Sequence, residues 1–305
     1  MGSKGIIMSV FIALAMNCYG QNYFDIAKIK NGFVPKNKFE NSTGETTVNN
    51  FAVKITSPFV INDKIVFLLG MDYSNIRLKP LLLNKPVNLI SSGIRLGISY
   101  NHNEKLKGIY IAIPKLIGNY ERGKNKYFQI GGVLLWKYRA KKNLTYKFGI
   151  YGSTEVFSIY TTPILGLYYQ SLNERLEVNL TLPINADVNY KILKNVRVGI
   201  EFLALTAGYN LNNYTLFSSY IQKTTQELGP YLQFDLWKEH LVLKAKALYT
   251  MSIFRLYSDP DQVDFGITGV FINDERTQLN NDFKTALGFE ISLAYRFHFK
   301  KETDL

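Results

Sequence analysis

Three histidines, a single cysteine and one acid-rich stretch are the residues of this 305-residue chain best suited to site chemistry. A hydrolytic or acyl-transfer site needs a base, usually His, beside a hydroxyl or thiol nucleophile. His102 and His240 lie in short polar stretches between apolar runs, and His298 is almost the last residue of the final apolar alternation. No Gly-rich phosphate loop, nucleophile elbow or metal-spaced His cluster accompanies them. The stretch SDPDQVDFGITGVFINDERTQLNND, residues 258–282, offers Asp259, Asp261 and Asp264 as candidate oxygen ligands for Ca²⁺. Their spacing is not that of an EF-hand loop, and acidic loop runs are usually just solvated. Cys18 stands alone, so neither a disulfide nor a Cys-based metal site is expected, and no cofactor is implied.

The elements that would position these residues alternate with period two. In GFEISLAYRFHF, residues 288–299, one set of positions is Phe289, Ile291, Leu293, Tyr295, Phe297 and Phe299, and the other is small, polar or charged. The same pattern recurs at Phe51–Val53–Ile55, Ile94–Leu96–Ile98, Tyr146–Phe148–Ile150, Val196–Val198–Ile200 and Leu241–Leu243–Ala245. Such alternation marks strands with one apolar face. Several runs span ten to sixteen residues, longer than the common globular strand and long enough for a tilted transmembrane strand of about 9–11 residues. The opposite faces hold Lys54, Asp72, Arg95, Lys137, Lys147, Glu177, Arg197, Glu201, Asp235, Lys244, Lys246, Glu290 and Arg296. A face of mixed charge fits a wet lumen, with the apolar stripes turned to lipid.

Composition agrees. Hydrophobic residues make up 47% and aromatic residues 14%, with 21 Tyr and 22 Gly, a balance that suits pleated surfaces and tight turns over a helical bundle. The first twenty residues have one Lys and an apolar run from Ile6 to Met16, the layout of a cleavable signal peptide at 1–20. After it no run approaches the roughly 18 continuous apolar residues of a membrane helix. Short polar connections (Asn62-Asp63, 102–105, 140–143, 171–174, 194–195, 238–240) alternate with longer ones (78–88, 117–124, 212–225, 255–283), with 183–186 as an exception. Short turns at one end and long loops at the other predict periplasmic and extracellular ends. Residues 47–299 give thirteen strands. A first strand within 23–35 restores an even fourteen; twelve becomes possible if Pro183 lies in a bend of a longer irregular strand, or if 23–35, within the segment 21–46, is a lumen plug. The expectation is thus all-β: one antiparallel outer-membrane β-barrel of 12–14 strands over 21–299, followed by a tail at 300–305. All three histidines then sit near the periplasm, away from an outer-leaflet reaction, and no enzymatic activity is expected.

The end of the chain resembles the C-terminal signal read by the barrel-assembly machinery, with Ser292, Ala294, Phe297 and Phe299 at its polar, small, hydrophobic and aromatic positions. The stretches FAVKITSPFVINDKIVFLLGMDYSNIRLK (51–79), VNLTLPINADVNYKILKNVRVGIEF (178–202), IFRLYSDPDQVDF (253–265) and ALGFEISLAYRF (286–297) resemble a Bacteroidetes-type family of outer-membrane β-barrel proteins known as a domain of unknown function. That resemblance implies fold and location, without an activity. The net charge of +12 then fits lipopolysaccharide phosphates or an anion-biased lumen rather than nucleic acid. The functions expected are a channel or transporter for small solutes, or a plugged structural barrel. The alternatives are a surface binding or adhesion barrel acting through 212–225 and 255–283 and, less favoured, an outer-leaflet lipid-modifying enzyme. Oligomeric state is open.

Overall fold

The computed structural model describes residues 23–79, 86–120, 128–211, 219–259 and 261–298. The expected signal peptide, Phe299, the tail and the centres of three long loops lie outside the described residues.

Among the described residues all regular structure is strand. In chain order these are β1 (Tyr23–Lys38), β2 (Glu45–Val60), β3 (Ile65–Leu78), β4 (Val87–Asn101), β5 (Leu106–Gly118), β6 (Phe128–Lys141), β7 (Leu144–Glu155), β8 (Ser158–Gln170), β9 (Leu176–Leu182), β10 (Asn185–Leu193), β11 (Val196–Leu211), β12 (Ser219–Leu236), β13 (Leu241–Thr250), β14 (Ile253–Ser258), β15 (Phe265–Ile267), β16 (Val270–Ile272) and β17 (Ala286–His298). Neighbours in sequence pair antiparallel from β1 to β13, β13 pairs with β17, and β17 returns to β1, from Tyr23 opposite His298 to Phe33 opposite Phe289. The result is a closed barrel of 14 strands, with β14 prolonging β13 along β12. Over its short-turn half each ring strand pairs on both sides, so backbone polar groups there find partners without solvent. The stretch 23–35 is therefore a wall strand and not a plug.

Side chains alternate as the sequence requires. The outer face carries exposed Phe51, Ile55, Met71, Ile94, Leu96, Ile98, Leu134, Phe148, Ile150, Ile291 and Leu293. At the end with the short turns it also presents Tyr138, Tyr146, Tyr190, Trp237 and Tyr295, a girdle of amphipathic rings.

Two regions expected as loops are partly strand. Residues 219–225 belong to β12, because the polar run SYIQKT, Ser219–Thr224, pairs with β11 on one side and β14 on the other. Within 255–283, Arg255–Ser258 continue β14, and β15 and β16 form a hairpin closed by Thr268 (φ 49°) and Gly269 (φ 83°). Positive φ at both central positions is the type I′ geometry that matches strand twist.

The wall is uneven in height. β9 reaches only as far as Leu165 on β8, and β10 covers β11 only to Leu203. Above this short hairpin β11 leaves the ring and crosses the lumen, and Asn210 pairs with Gly118 of β5 in parallel. Its companion strands β12 and β14 lean in with it.

Candidate functional site

The crossing divides the interior into three environments. The first is apolar. Tyr209 and Leu211 of β11, Ile221 of β12, and Phe254 and Leu256 of β14 are buried against Val34, Val48, Ile76, Leu78, Leu89 and Ile117 on the inner faces of β1–β5. Phe39 and Phe283 cap this cluster edge to face, with ring centroids 4.9 Å apart. A packed apolar core thus fills one side of the lumen at the long-loop end.

The crossing is pinned by polar groups at one glycine. The Gly208 N–H donates to Glu155 Oε2 (2.8 Å), and the Gln129 side-chain amide donates to the Gly208 carbonyl (2.9 Å). The Glu155 side chain is fully buried and pairs with Lys115 at 2.8 Å. A Cβ on residue 208 would collide with Val156 and come within 3.1 Å of the Phe157 ring, so glycine is what allows this approach.

The second environment is charged and lies toward the short turns. Lys30 pairs with Glu290 (3.1 Å), Glu290 with Lys246 (3.2 Å), Lys246 with Glu201 (3.0 Å), Glu201 with Lys244 (3.0 Å) and Lys244 with Asp187 (3.1 Å). Tyr231 donates to Asp187 at 2.7 Å, and its ring lies 3.8 Å beneath the Lys244 ammonium. This chain of alternating charge links β1, β17, β13, β11, β10 and β12. Beside it Arg197 binds Asp235 (3.1 Å), Arg296 binds Asp25 (2.8 Å), and the Tyr23 hydroxyl donates to Glu177 across the barrel (2.5 Å). A cavity of about 190 Å³ lies between them. The Lys246 side chain is 2% exposed, so these pairs are desolvated and held by mutual neutralisation.

All thirteen charged residues expected on the lumen face lie on the inward parity of their strands. Lys147 donates to Asn179 and Thr181, Arg95 pairs with Asp72 at 2.6 Å, and Lys54 and Lys137 share that inner face. The sequence reading missed Asp25, Lys28, Lys30, Lys115, Glu155, Asp187 and Tyr231. Lys28 and Lys30 were legible as alternate positions of a first strand, while Asp187 lies on β10, directly after the exceptional 183–186 connection.

The third environment is a largely apolar cavity of about 540 Å³ between β8 and β11, above the β9–β10 turn. At the loop end next to it, the Arg276 side chain is 1% exposed and lies over the rings of Tyr257 (4.3 Å), Phe271 (5.1 Å) and Phe157 (5.6 Å). It donates to Gln222 (2.8 Å) and to Asp274 (2.7 Å), and this bond holds the Asp274 carboxyl below its ordinary range.

The acid-rich stretch makes no metal centre among the described residues. Its carboxylates turn to protein donors instead: Asp264 accepts from Asn273 (2.6 Å) and Asp282 from Arg255 (3.0 Å). Among the described residues Asp259, Asp261 and Asp264 do not form a group of three ligands, and the Asp261 carbonyl accepts from Tyr220. The Ca²⁺ candidates are thus not brought together.

The histidines all lie at the short-turn end. His102 contacts the Tyr110 hydroxyl (2.8 Å), His240 the Arg296 carbonyl (3.1 Å) and His298 the Glu239 carbonyl (3.0 Å). Ser292 and Ala294 are buried on the inner face of β17, the strand that closes the barrel on β1, and Phe297 meets Phe24 outside it (5.9 Å).

No family model matches the chain, and no curated protein matches it. Among solved structures it is similar to the NanC porin (7% identity, 88% of this chain and 98% of that chain, TM-score 0.39). It is also similar to the translocator domain of the autotransporter NalP from Neisseria meningitidis (10% identity, 96% and 94%, TM-score 0.37). A third is the toluene transporter TodX from P. putida (11% identity, 92% and 91%, TM-score 0.35). At these scores the barrel assignment rests on the chain's own closed strand pairing.

Proposed function

We propose that the protein is an outer-membrane β-barrel of the transporter kind whose aqueous path is shut in this conformation. The membrane reading is supported by the exposed apolar outer face and the aromatic girdle at the short-turn end. A monomer in water rarely exposes so large a continuous apolar surface. The short turns then face the periplasm and the long loops the exterior.

The single observation that carries the shut lumen is the crossing of β11 to β5, with its apolar packing and the Glu155–Gly208 bond. The ion-paired network toward the periplasm narrows the remaining space. Vesicles loaded with a chloride-sensitive dye test this: the purified barrel inserts and passes no chloride, whereas rapid dye quenching by the unmodified protein would refute the shut state.

A surface-binding role is favoured by one further observation, the ordered 261–282 loop built around buried Arg276. Replacing that loop by a short linker leaves insertion intact and removes surface binding, and unchanged binding would count against this role.

A further inference from the structure

We infer that the gap in the barrel wall above the β9–β10 hairpin is a lateral window, and that the cavity behind it binds a hydrocarbon chain bearing one uncharged oxygen group. The wall is thinned there for a structural reason: above Leu165 the edge of β8 meets the short β15, paired in parallel at Gly266–Tyr160 and Ile267–Thr161, in place of a full ring strand. β9 ends opposite Leu165, and β11 parts from β10 after Leu203, with the Ala204 N–H donating its last bond on that side to the Ile184 carbonyl (2.8 Å). Two ring strands are therefore unpaired with each other over the long-loop half. The β15–β16 turn roofs the space, with the Thr268 N–H bonded to the Thr161 carbonyl at 3.0 Å.

The window exposes the inner face of the barrel. Val133 and Tyr151, which point inward from β6 and β7, line the same cavity as Leu182, which is exposed on the outward parity of β9. A path thus runs from the outer surface to inward-facing side chains without passing the loops or the charged lumen.

The chemistry of the lining selects the occupant. The volume of about 540 Å³ falls within the roughly 300–1,000 Å³ of small-molecule sites. Among the described residues no charged side chain lines it, which excludes ionic headgroups as the buried part. Its polar groups are neutral, and one is unsatisfied: Thr225 is 1% exposed, lines the cavity, and its hydroxyl has no partner among the described residues. An unpaired buried hydroxyl costs about 1–3 kcal/mol, which a ligand oxygen would relieve. The roof adds exposed Ile267, Val270 and Ile272 at the mouth, a surface suited to hydrocarbon and not to water.

This inference rests on the membrane-embedded barrel proposed above, and one experiment separates the two. In a Tyr151→Trp variant on a Trp237→Phe background, reconstituted in nanodiscs beside its Trp237→Phe parent, the new indole faces inward, while native Trp136 stacks on Phe148 on the outer face (5.8 Å). Its emission is obtained by difference from the parent. Bromododecanol is titrated in one arm, and lipid brominated on its acyl chains replaces the nanodisc lipid in the other. Saturable quenching of the new indole by bromododecanol, weakened about tenfold by Thr225→Val, supports a ligand taken up as a free amphiphile. Quenching by brominated lipid that equals or exceeds that of Trp136 supports an acyl chain entering from the membrane. Trp136 quenched by lipid while the inward indole responds to neither probe overturns the window and leaves the barrel standing. Trp136 untouched by brominated lipid removes the membrane reading itself.

Discussion

Lys246 shows how much of the interior depends on single side chains. It is buried between Glu201 and Glu290, and its removal would strand two carboxylates in a desolvated wall. Breaking one partner of a buried ionic set typically costs about 3–5 kcal/mol, more than the set gains over an apolar replacement. We predict that Lys246→Ala destabilises the refolded barrel by about that amount in equilibrium denaturation, and that adding Glu290→Gln restores part of it. A loss under about 1 kcal/mol for the single variant would mean that water reaches the pair. At the loop end the controlling groups titrate. Hydrogen bonds from Arg276 and Arg255 hold Asp274 and Asp282 below the ordinary carboxylate value of 3.8. Both contributions are fully present above that value and fade as pH falls through the depressed ones. Amide exchange at 273–282, corrected for intrinsic rates, should stay slow from pH 7 to 5 and rise below pH 3.8; equal protection at pH 2.5 would refute the anchoring role. The charged inner face was readable in advance because period two separates faces without knowledge of partners. Which charges meet was not readable, since Tyr23 and Glu177 lie 154 residues apart and come together only when the ring closes.

At the scale of elements, the decisive feature is a strand that belongs to the wall at one end and to the lumen at the other. The segment Thr206–Leu211 continues the alternation of β11, so periodicity alone keeps it in the ring. The available signal was burial on both faces: TAGYNL places Tyr209 and Leu211 on one side and a glycine on the other, unlike a strand with lipid on one face. The stretch 183–186 stood out in the sequence as too short for the long-loop end, and in the structure it is the floor of the window. The polar run at the start of β12 reads as loop because its partners, β11 and β14, turn away from lipid. If glycine is what permits the crossing, Gly208→Val must displace β11 from Val156 and Phe157. A spin-label pair on β5 and β11 should then show the interstrand distance lengthening by several ångströms, and an unchanged distance would mean that the wall yields instead.

For the whole molecule, ring closure was legible from strand length, unequal connections and an even count, because each follows from spanning an apolar slab with no free edge. The shut interior was not, because it depends on the tertiary path of β11 and on ion pairs that any mixed-charge face is free to form or omit. The account therefore turns on whether the crossing strand and its polar lock at Glu155 close the path. Single-channel recording in planar bilayers, with the parent compared to a Glu155→Ala, Gln129→Ala variant, tests this most directly. The parent should insert and remain silent, and the variant, having lost both hydrogen bonds to Gly208, should show discrete conducting steps. Steps of the same size and frequency in the parent would contradict a lumen closed by its own strand.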